Sequence, residues 1–125
     1  MAGGSGVVPL LAMVRAHAAS ASTVPMRLLY SVRSPDNVLY ASELADAAAH
    51  DSLDLTLSYS RHAPPGHDRP AARISRKLFE HATLAPTEAP AVFVCGPNGF
   101  VAAAGELLIE LGHDPAVIKT ERFGG

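Results

Sequence analysis

One stretch near the C-terminal third, residues 91–100, constrains the fold of this chain most. The apolar run Ala91–Val94 favours a strand and ends abruptly in Cys95-Gly96-Pro97. A helical pattern of apolar residues resumes at once, with Val101, Leu107, Leu108 and Leu111. This order predicts a buried parallel strand that stops at a tight turn and feeds a helix. Open α/β sheets bind ligands at the carboxyl ends of their strands, so Cys95 is a candidate site residue. A lone cysteine is also a common small core residue, and the sequence leaves both interpretations open.

Strands and helices alternate along the rest of the chain. Strands are predicted over residues 27–32, 53–59 and 116–120, and helices from residue 7, over 40–50, over 74–81 and up to 111. This alternation predicts an α/β fold with a doubly wound, mostly parallel sheet. No linker is long enough to divide residues 1–125, so one domain is expected.

A glycine loop opens the first helix. Gly3, Gly4, Ser5 and Gly6 precede Val7, where a helical pattern begins. Backbone donors and the positive end of a helix dipole meet at such a loop, which makes it a candidate anion site. The loop matches neither Gly-x-Gly-x-x-Gly nor a P-loop with its lysine, and a flexible N-terminal tail is the alternative.

Composition excludes several classes of function. With 48% hydrophobic residues the chain is not disordered, and a net charge of −2 gives no basic footprint for nucleic acid. A single cysteine forms no internal disulfide and fits a reducing, cytoplasmic location. No apolar run is long enough to span a bilayer. The apolar segment Val7–Val14 is followed by small residues and so resembles a secretory signal, but no basic region precedes it. A small secreted binding domain is therefore the least favoured of the functions considered.

Three motifs in order carry a family resemblance. They are the segment from Ala2 to Leu10, the segment Val94-Cys95-Gly96-Pro97, and the closing Glu121-Arg122-Phe123-Gly124. Together they resemble the nucleotide-binding domain of the ferredoxin–NADP reductase superfamily, nearest to bacterial flavodoxin and ferredoxin reductases. The likeness runs essentially end to end and implies a Rossmann-like domain.

The resemblance also implies roles for individual residues. The glycine loop Gly3–Gly6, with Val7 after it, would hold the pyrophosphate of NAD(P)H. Cys95 would lie beside the nicotinamide as the catalytic residue, and Gly96, Pro97 and Asn98 would line that pocket. Phe123 would pack against a flavin. The family transfers hydride from NAD(P)H to FAD or FMN and then passes electrons to an acceptor protein.

Arginines suggest which nicotinamide is preferred. Arg33 and Arg61 follow predicted strands, and Arg73 precedes a short helix. Guanidinium groups match a 2′-phosphate, whereas an NAD site more often has a carboxylate at this place. The segments around Ser31 and Arg33, Ser60 and Arg61, and Arg73 also resemble NADPH-specific flavodoxin reductases, so NADP(H) is favoured over NAD(H). Each arginine is alternatively an exposed solubilising charge, and Asp36 is a carboxylate in the same turn as Arg33.

The start of the sequence departs from the family pattern. Only Met1 and Ala2 precede Gly3, where relatives have a buried strand and, before it, a flavin-binding β-barrel. We therefore expect a truncated first central strand, with one of three consequences: a gapped or closed-up sheet, a partner that supplies the strand, or a truncated and marginally stable chain. FAD or FMN is expected only through another domain or a partner protein. The alternative function is a nucleotide-binding module or remnant without turnover of its own.

The histidines predict no metal site. His62, His67 and His81 have no ligand spacing, and ordinary surface roles are expected for them.

Overall fold

The computed structural model describes residues 1–50 and 53–124. Its strands form one sheet in the order β3-β2-β1-β4-β5, with every neighbouring pair parallel in the described part of the chain. The strands are β1 (Ala2–Gly3), β2 (Arg27–Val32), β3 (Asp54–Tyr59), β4 (Val92–Gly96) and β5 (Ile118–Arg122). The helices are α1 (Val7–Ala19), α2 (Ala41–Ala49), α3 (Arg76–Ala82) and α4 (Asn98–Glu110). The predicted doubly wound α/β fold is confirmed.

Side chains of β2 divide the core into two layers. Leu28, Tyr30 and Val32 belong to the apolar cluster that includes residues of α1 and α2. Leu29 points the other way, into the cluster that includes residues of α3 and α4. Successive residues of a strand face opposite sides of a sheet, so a strand covered on both faces is apolar almost throughout.

Two predicted boundaries were wrong. The helix predicted over 74–81 begins at Arg76, because the hydroxyl of Ser75 accepts a hydrogen bond from the N–H of Leu78 and caps it. The strand predicted over 116–120 runs instead over Ile118–Arg122. A 3₁₀ turn capped by Asp114 occupies Pro115–Val117 and delays the strand.

The central strand is short, as the sequence predicts. β1 has two residues, whereas β2 has six and β4 has five. Ala2 pairs with both Tyr30 and Cys95, so β1 joins the two halves of the sheet near their carboxyl ends. Toward the amino ends, β2 and β4 flank a cavity of about 460 Å³. The expected gap is therefore confined to the amino-terminal half of the sheet, and the carboxyl edge is continuous.

Candidate functional site

The glycine loop is an ordered connection between β1 and α1, so the interpretation as a flexible tail was wrong. Gly3 ends β1, and one 3₁₀ turn over Gly4–Gly6 leads directly to Val7. Gly4 has a φ of 54°, in the left-handed region that favours glycine. A Cβ on Gly4 would meet no atom within 4 Å, so its backbone faces open space where a ligand could approach.

Contacts at the other glycines join this loop to the end of β4. A Cβ on Gly3 would lie 2.6 Å from the ring of Phe100, and a Cβ on Gly96 would lie 2.9 Å from the same ring. A Cβ on Gly6 would lie 2.5 Å from the carbonyl carbon of Cys95 and closer still to its oxygen. These approaches leave no room for a side chain. The two motifs thus form one structure, at the point where the strand order reverses between β1 and β4.

Two helix N-termini at this edge lack capping side chains. Gly6 precedes α1 and Pro97 precedes α4, and neither helix has an acidic residue in its first turn. By contrast, Ser75 caps α3, and Glu43 lies in the first turn of α2. The first backbone N–H groups of a helix have no partner within the helix. The N–H of Val7 bonds back to the carbonyl oxygens of Gly4 and Ser5, so the positive end of α1 extends into the glycine loop, whereas that of α4 begins after Pro97. Both positive ends lie at the switch point, which suits an external anion.

Cys95 lies at the end of β4 with its side chain in the core. The residue is 6% exposed and belongs to the apolar cluster under α1. Burial raises the pKa of the Cys95 thiol; the Met1 ammonium opposes this rise in the pKa and Glu121 adds to it. A protonated thiol is a poor nucleophile, so this group can pack against a ligand but is not poised for covalent chemistry.

Two of the three candidate arginines are adjacent. The N–H of Arg61 donates to the carbonyl oxygen of Arg33 at 2.9 Å, which brings the residues after β2 and β3 together. Both residues are exposed. In the described ranges 1–50 and 53–124, arginine ion pairs involve four other residues: Arg15, Arg27, Arg69 and Arg76. Arg33 and Arg61 thus have no carboxylate partner among the described residues.

Arg73 lies in a cavity beside the end of β3. The N–H of Ala72 donates to the carbonyl oxygen of Tyr59 at 2.9 Å, so this loop returns to the end of β3. Arg73 lines a cavity of about 430 Å³ together with Tyr59, Lys77 and His81. The sequence groups Arg73 with the other two arginines, whereas the structure places it in this separate, cationic cavity.

The remaining predicted residues lie at or near the same edge. Ser31 pairs with Gly3 in the ladder between β1 and β2 and is half-buried. The N–H of Ser60 donates to the carbonyl oxygen of Val32 at 2.8 Å and continues the β2–β3 ladder. The N–H of Phe123 donates to the carbonyl oxygen of Gly96 at 3.2 Å, and Phe123 is 37% exposed. Phe123 therefore follows the last strand directly beside the end of β4.

Pro97, Asn98 and Ser5 lie at the surface of this edge. Pro97 is half-buried, whereas Asn98, the first residue of α4, and Ser5 are exposed. Asp36 is also exposed, in the 3₁₀ turn Pro35–Asn37 beyond Arg33.

Sequence reasoning missed two residues. Phe100 fills the space over Gly3 and Gly96, and an aromatic residue in the first turn after Gly-Pro-Asn-Gly is the signal that could have found it. His113 is 4% exposed, its Nε2 is buried without a hydrogen-bond partner in the described structure, and burial lowers its pKa.

The other histidines differ in exposure. His62 and His81 are exposed, but His67 is half-buried and packs edge-on against Tyr59 with ring centroids 4.9 Å apart, so a plain surface role was wrong for His67. Among the described residues, no three side chains of the His, Cys, Asp or Glu type are grouped to hold a metal ion. Nor does that part of the chain contain a helix with the length and apolar character needed to cross a membrane.

Known proteins share this fold and sequence pattern. Residues 1–106 match the family model described as the oxidoreductase NAD-binding domain. The chain is 28% identical over 123 residues to NADH-cytochrome b5 reductase 2 of Rattus norvegicus, covering 96% of this chain and 45% of that protein. It is 30% identical over 128 residues to ferredoxin–NADP reductase B of Sorangium cellulosum, covering 98% of this chain and 52% of that protein.

A solved structure gives the same result. The flavohem-like FAD/NAD-binding domain of nitric oxide dioxygenase from Vibrio cholerae superposes with a TM-score of 0.84 and 26% identity, covering 99% of this chain and 49% of that chain. The chain thus spans about half the length of these relatives. The chain belongs to the oxidoreductase NAD-binding domain family, the domain that it shares with these ferredoxin reductase-like relatives.

Proposed function

We propose that this chain binds NADP(H) at the carboxyl edge of its sheet, as the nucleotide-binding domain of a flavin-dependent oxidoreductase. The observation that carries the proposal is the convergence of two uncapped helix N-termini, those of α1 and α4, at the switch point. A dinucleotide has its charged pyrophosphate in the middle, and such a crevice suits that shape and charge.

The glycine loop is proposed to hold the pyrophosphate. Gly4 faces open space, and the absence of a side chain lets phosphate oxygens approach the backbone. Gly3 and Gly6 have a different task, because they allow the loop to contact Phe100 and Cys95 closely. We infer that Gly4 contacts the ligand and that Gly3 and Gly6 hold the loop in place.

The end of β4 is proposed to hold the nicotinamide. We infer that Cys95, Gly96, Pro97 and Asn98 would line this part of the site. The N–H of Phe123 bonds to the carbonyl oxygen of Gly96 and so lies beside them. In this role Cys95 positions the ring by packing, since a buried neutral thiol is soft and polarisable. Phe123 shields the ring from water until a flavin is in place.

A flavin would accept the hydride and release electrons singly to an acceptor. The Vibrio cholerae relative is described as binding both FAD and NAD, and this chain covers half of it. We therefore propose that FAD or FMN is held by a further domain or a partner protein. Phe123 is the residue of this chain that would face it.

Charge favours NADP(H) over NAD(H). Arg33 and Arg61 are adjacent, exposed and without carboxylate partners among the described residues. A 2′-phosphate carries nearly two negative charges and accepts charge-assisted hydrogen bonds worth about 1.5–3 kcal/mol each. Exposure to water reduces that gain, so we expect a tenfold rather than a thousandfold preference. Arg73 is expected to contribute less, because it lines the neighbouring cavity.

Titration of the purified chain with NADPH and NADH tests this function. Replacing both Arg33 and Arg61 by Ala should weaken NADPH binding by about tenfold and NADH binding by less than about threefold. Arg15→Ala is the matched control, since Arg15 is exposed, lies late in α1 and pairs with Glu43. Equal losses for both nucleotides in the double variant would argue against a 2′-phosphate site.

The alternative function is a nucleotide-binding module without turnover, and a second assay distinguishes it from the oxidoreductase function. NADPH oxidation is followed with added FAD or FMN, and with the flavin protein once it is found. Flavin-dependent oxidation supports the oxidoreductase role. Binding without oxidation in all of these mixtures would favour the module.

A further inference from the structure

A second cavity lies on the flank of β3, between this strand, the loop 67–73 and α3. We call it the α3 cavity; its volume of about 430 Å³ is typical of a small-molecule site. Its lining includes no residue of the glycine loop or of the end of β4. The α3 cavity is therefore a place apart from the switch point.

The outer wall of the α3 cavity is fixed to the free edge of β3. The N–H of Ala72 donates to the carbonyl oxygen of Tyr59 at 2.9 Å. The guanidinium of Arg69 donates to the carbonyl oxygen of Leu57 at 2.7 Å. His67 packs edge-on against Tyr59. With three attachments to one strand, the wall holds the cavity open without a ligand.

Ser58 is a buried polar residue of this cavity. It is 7% exposed, and its hydroxyl makes no hydrogen bond within the described part of the chain. Tyr59 belongs to the apolar cluster under α1 and α2, so Ser58 faces the other side of the sheet, toward α3. Buried hydroxyl groups nearly always have a partner, and this one is placed to bond to a ligand.

Positive charge gathers at the opening of the α3 cavity. Lys77 and His81 lie one turn apart on α3, and Arg73 of the loop joins them. Arg73 and Lys77 are exposed and form no ion pair with any described residue. Asp68 also lines the cavity, but Arg69 pairs with it at 3.3 Å. An anion at the opening would thus meet two free cations.

The space between the opening and Ser58 is mainly apolar. Leu78 is buried, and Pro70 and Ala72 line the same space. A matching ligand has an apolar body, one anionic group at its outer end and one hydrogen-bonding group at its inner end. Because the free cations are confined to the opening, a single carboxylate fits better than a chain of phosphates.

We propose that the α3 cavity binds a small hydroxylated aromatic carboxylate. The carboxylate pairs with Arg73 and Lys77, the ring packs on Leu78, and the ring hydroxyl bonds to Ser58. This inference does not depend on the proposed nucleotide-binding function, since the two sites share neither helix N-terminus nor glycine loop.

Titration with 4-hydroxybenzoate, followed by amide chemical shifts in the labelled chain, tests the proposal. A ligand with about ten non-hydrogen atoms should bind with a dissociation constant of about 1 mM. The shifts should gather at residues 58–59, 67–73 and 75–81. Benzoate lacks the hydroxyl and 4-hydroxybenzamide lacks the charge, so each should bind about fivefold more weakly.

Variants assign the two ends of the ligand. Ser58→Ala should weaken 4-hydroxybenzoate about fivefold and benzoate by less than about twofold, and benzoate binding also reports that this variant is folded. Lys77→Ala should weaken both carboxylates about threefold and leave 4-hydroxybenzamide unchanged. Lys119→Ala is the matched control, since Lys119 is exposed on β5 and should affect none of the three compounds.

Four results would overturn the proposal. They are the absence of saturable shifts up to about 10 mM, ten times the expected dissociation constant; shifts outside the named segments; equal losses for benzoate and 4-hydroxybenzoate in Ser58→Ala; and complete displacement of the probe by NADPH. Displacement would make the cavity part of the nucleotide site. A chain that binds 4-hydroxybenzoate but no NADPH would refute the proposed function and leave this inference standing.

Discussion

Gly6→Ala tests whether the glycine loop and the end of β4 form one structure. A Cβ at Gly6 would lie 2.5 Å from the carbonyl carbon of Cys95 and 2.9 Å from the N atom of Gly96. An ordinary contact begins at 3.4 Å, so the two segments must separate by about 1 Å. Neighbours of this kind are backbone atoms, which cannot rotate away as a side chain does.

The magnitude follows from that displacement. Overpacking costs about 1–3 kcal/mol, a sizeable part of a typical total of about 5–15 kcal/mol. We expect Gly6→Ala to lower the Tm by roughly 5–10 °C. Because the loop also moves relative to the strand end, NADPH affinity should fall by at least about tenfold.

Thermal unfolding and nucleotide titration measure both effects. Gly99→Ala is the matched control, because a Cβ there meets nothing within 4 Å and the residue lies in α4. Alanine favours a helix over glycine by up to about 1 kcal/mol, so Gly99→Ala should keep or raise the Tm. A Gly6→Ala chain with unchanged Tm and unchanged NADPH affinity would refute the packing argument.

Three further outcomes are expected. Cys95→Ala should change NADPH affinity by less than about twofold but slow flavin reduction by about tenfold, because a loosely held nicotinamide ring is misaligned for hydride transfer. An unchanged rate of flavin reduction in an assembly with bound flavin would contradict the positioning role of Cys95. The pKa of His113 is lowered by burial, so its contribution to stability is present above the ordinary value of 6.5 and is lost as pH falls through and below that value. The Tm of the chain should therefore fall more steeply below pH 6.5 than that of His113→Asn, and parallel curves would contradict this. Adding Val-Leu-Val before Met1 should raise the Tm by at least about 5 °C over adding Ser-Gly-Ser, because the cavity of about 460 Å³ between β2 and β4 would bury the apolar side chains. Each buried apolar side chain contributes about 1.5–3 kcal/mol, and ordering a residue costs about 1–2 kcal/mol. Equal Tm values would mean that this cavity does not accept a strand.

The fold class could be predicted because the order of apolar patterns along the chain indicates alternating strands and helices. The apolar run before Cys95 predicts a strand covered on both faces. Alternation over 53–59 predicts a strand with one exposed polar face, and this prediction was wrong for β3, because Thr56 and Ser58 are buried while Leu55 and Leu57 are only half-buried. The order of strands and helices then leaves few topologies. Boundaries were harder to predict, because caps such as Ser75 and Asp114 decide them and many serine and aspartate residues do not cap helices.

The candidate site could be predicted only in part. The glycine loop, Cys95 and Phe123 each have a local signature, and the structure brings them to one edge. An aromatic residue after Gly-Pro-Asn-Gly is a local signal for Phe100, but its contact with Gly3 joins residues far apart in sequence and could not be predicted locally. His113 follows the turn after α4 and resembles a surface histidine in sequence, because its burial depends on strands that lie elsewhere.

The most direct test of the account is to map NADP⁺ binding by amide chemical shifts in the labelled chain. The account predicts saturable shifts confined to the glycine loop, the first turns of α1 and α4, and the segment around Arg33 and Arg61. No saturable shifts, or shifts gathered at the amino ends of the strands, would contradict the claim that two uncapped helices at the carboxyl edge form the nucleotide site.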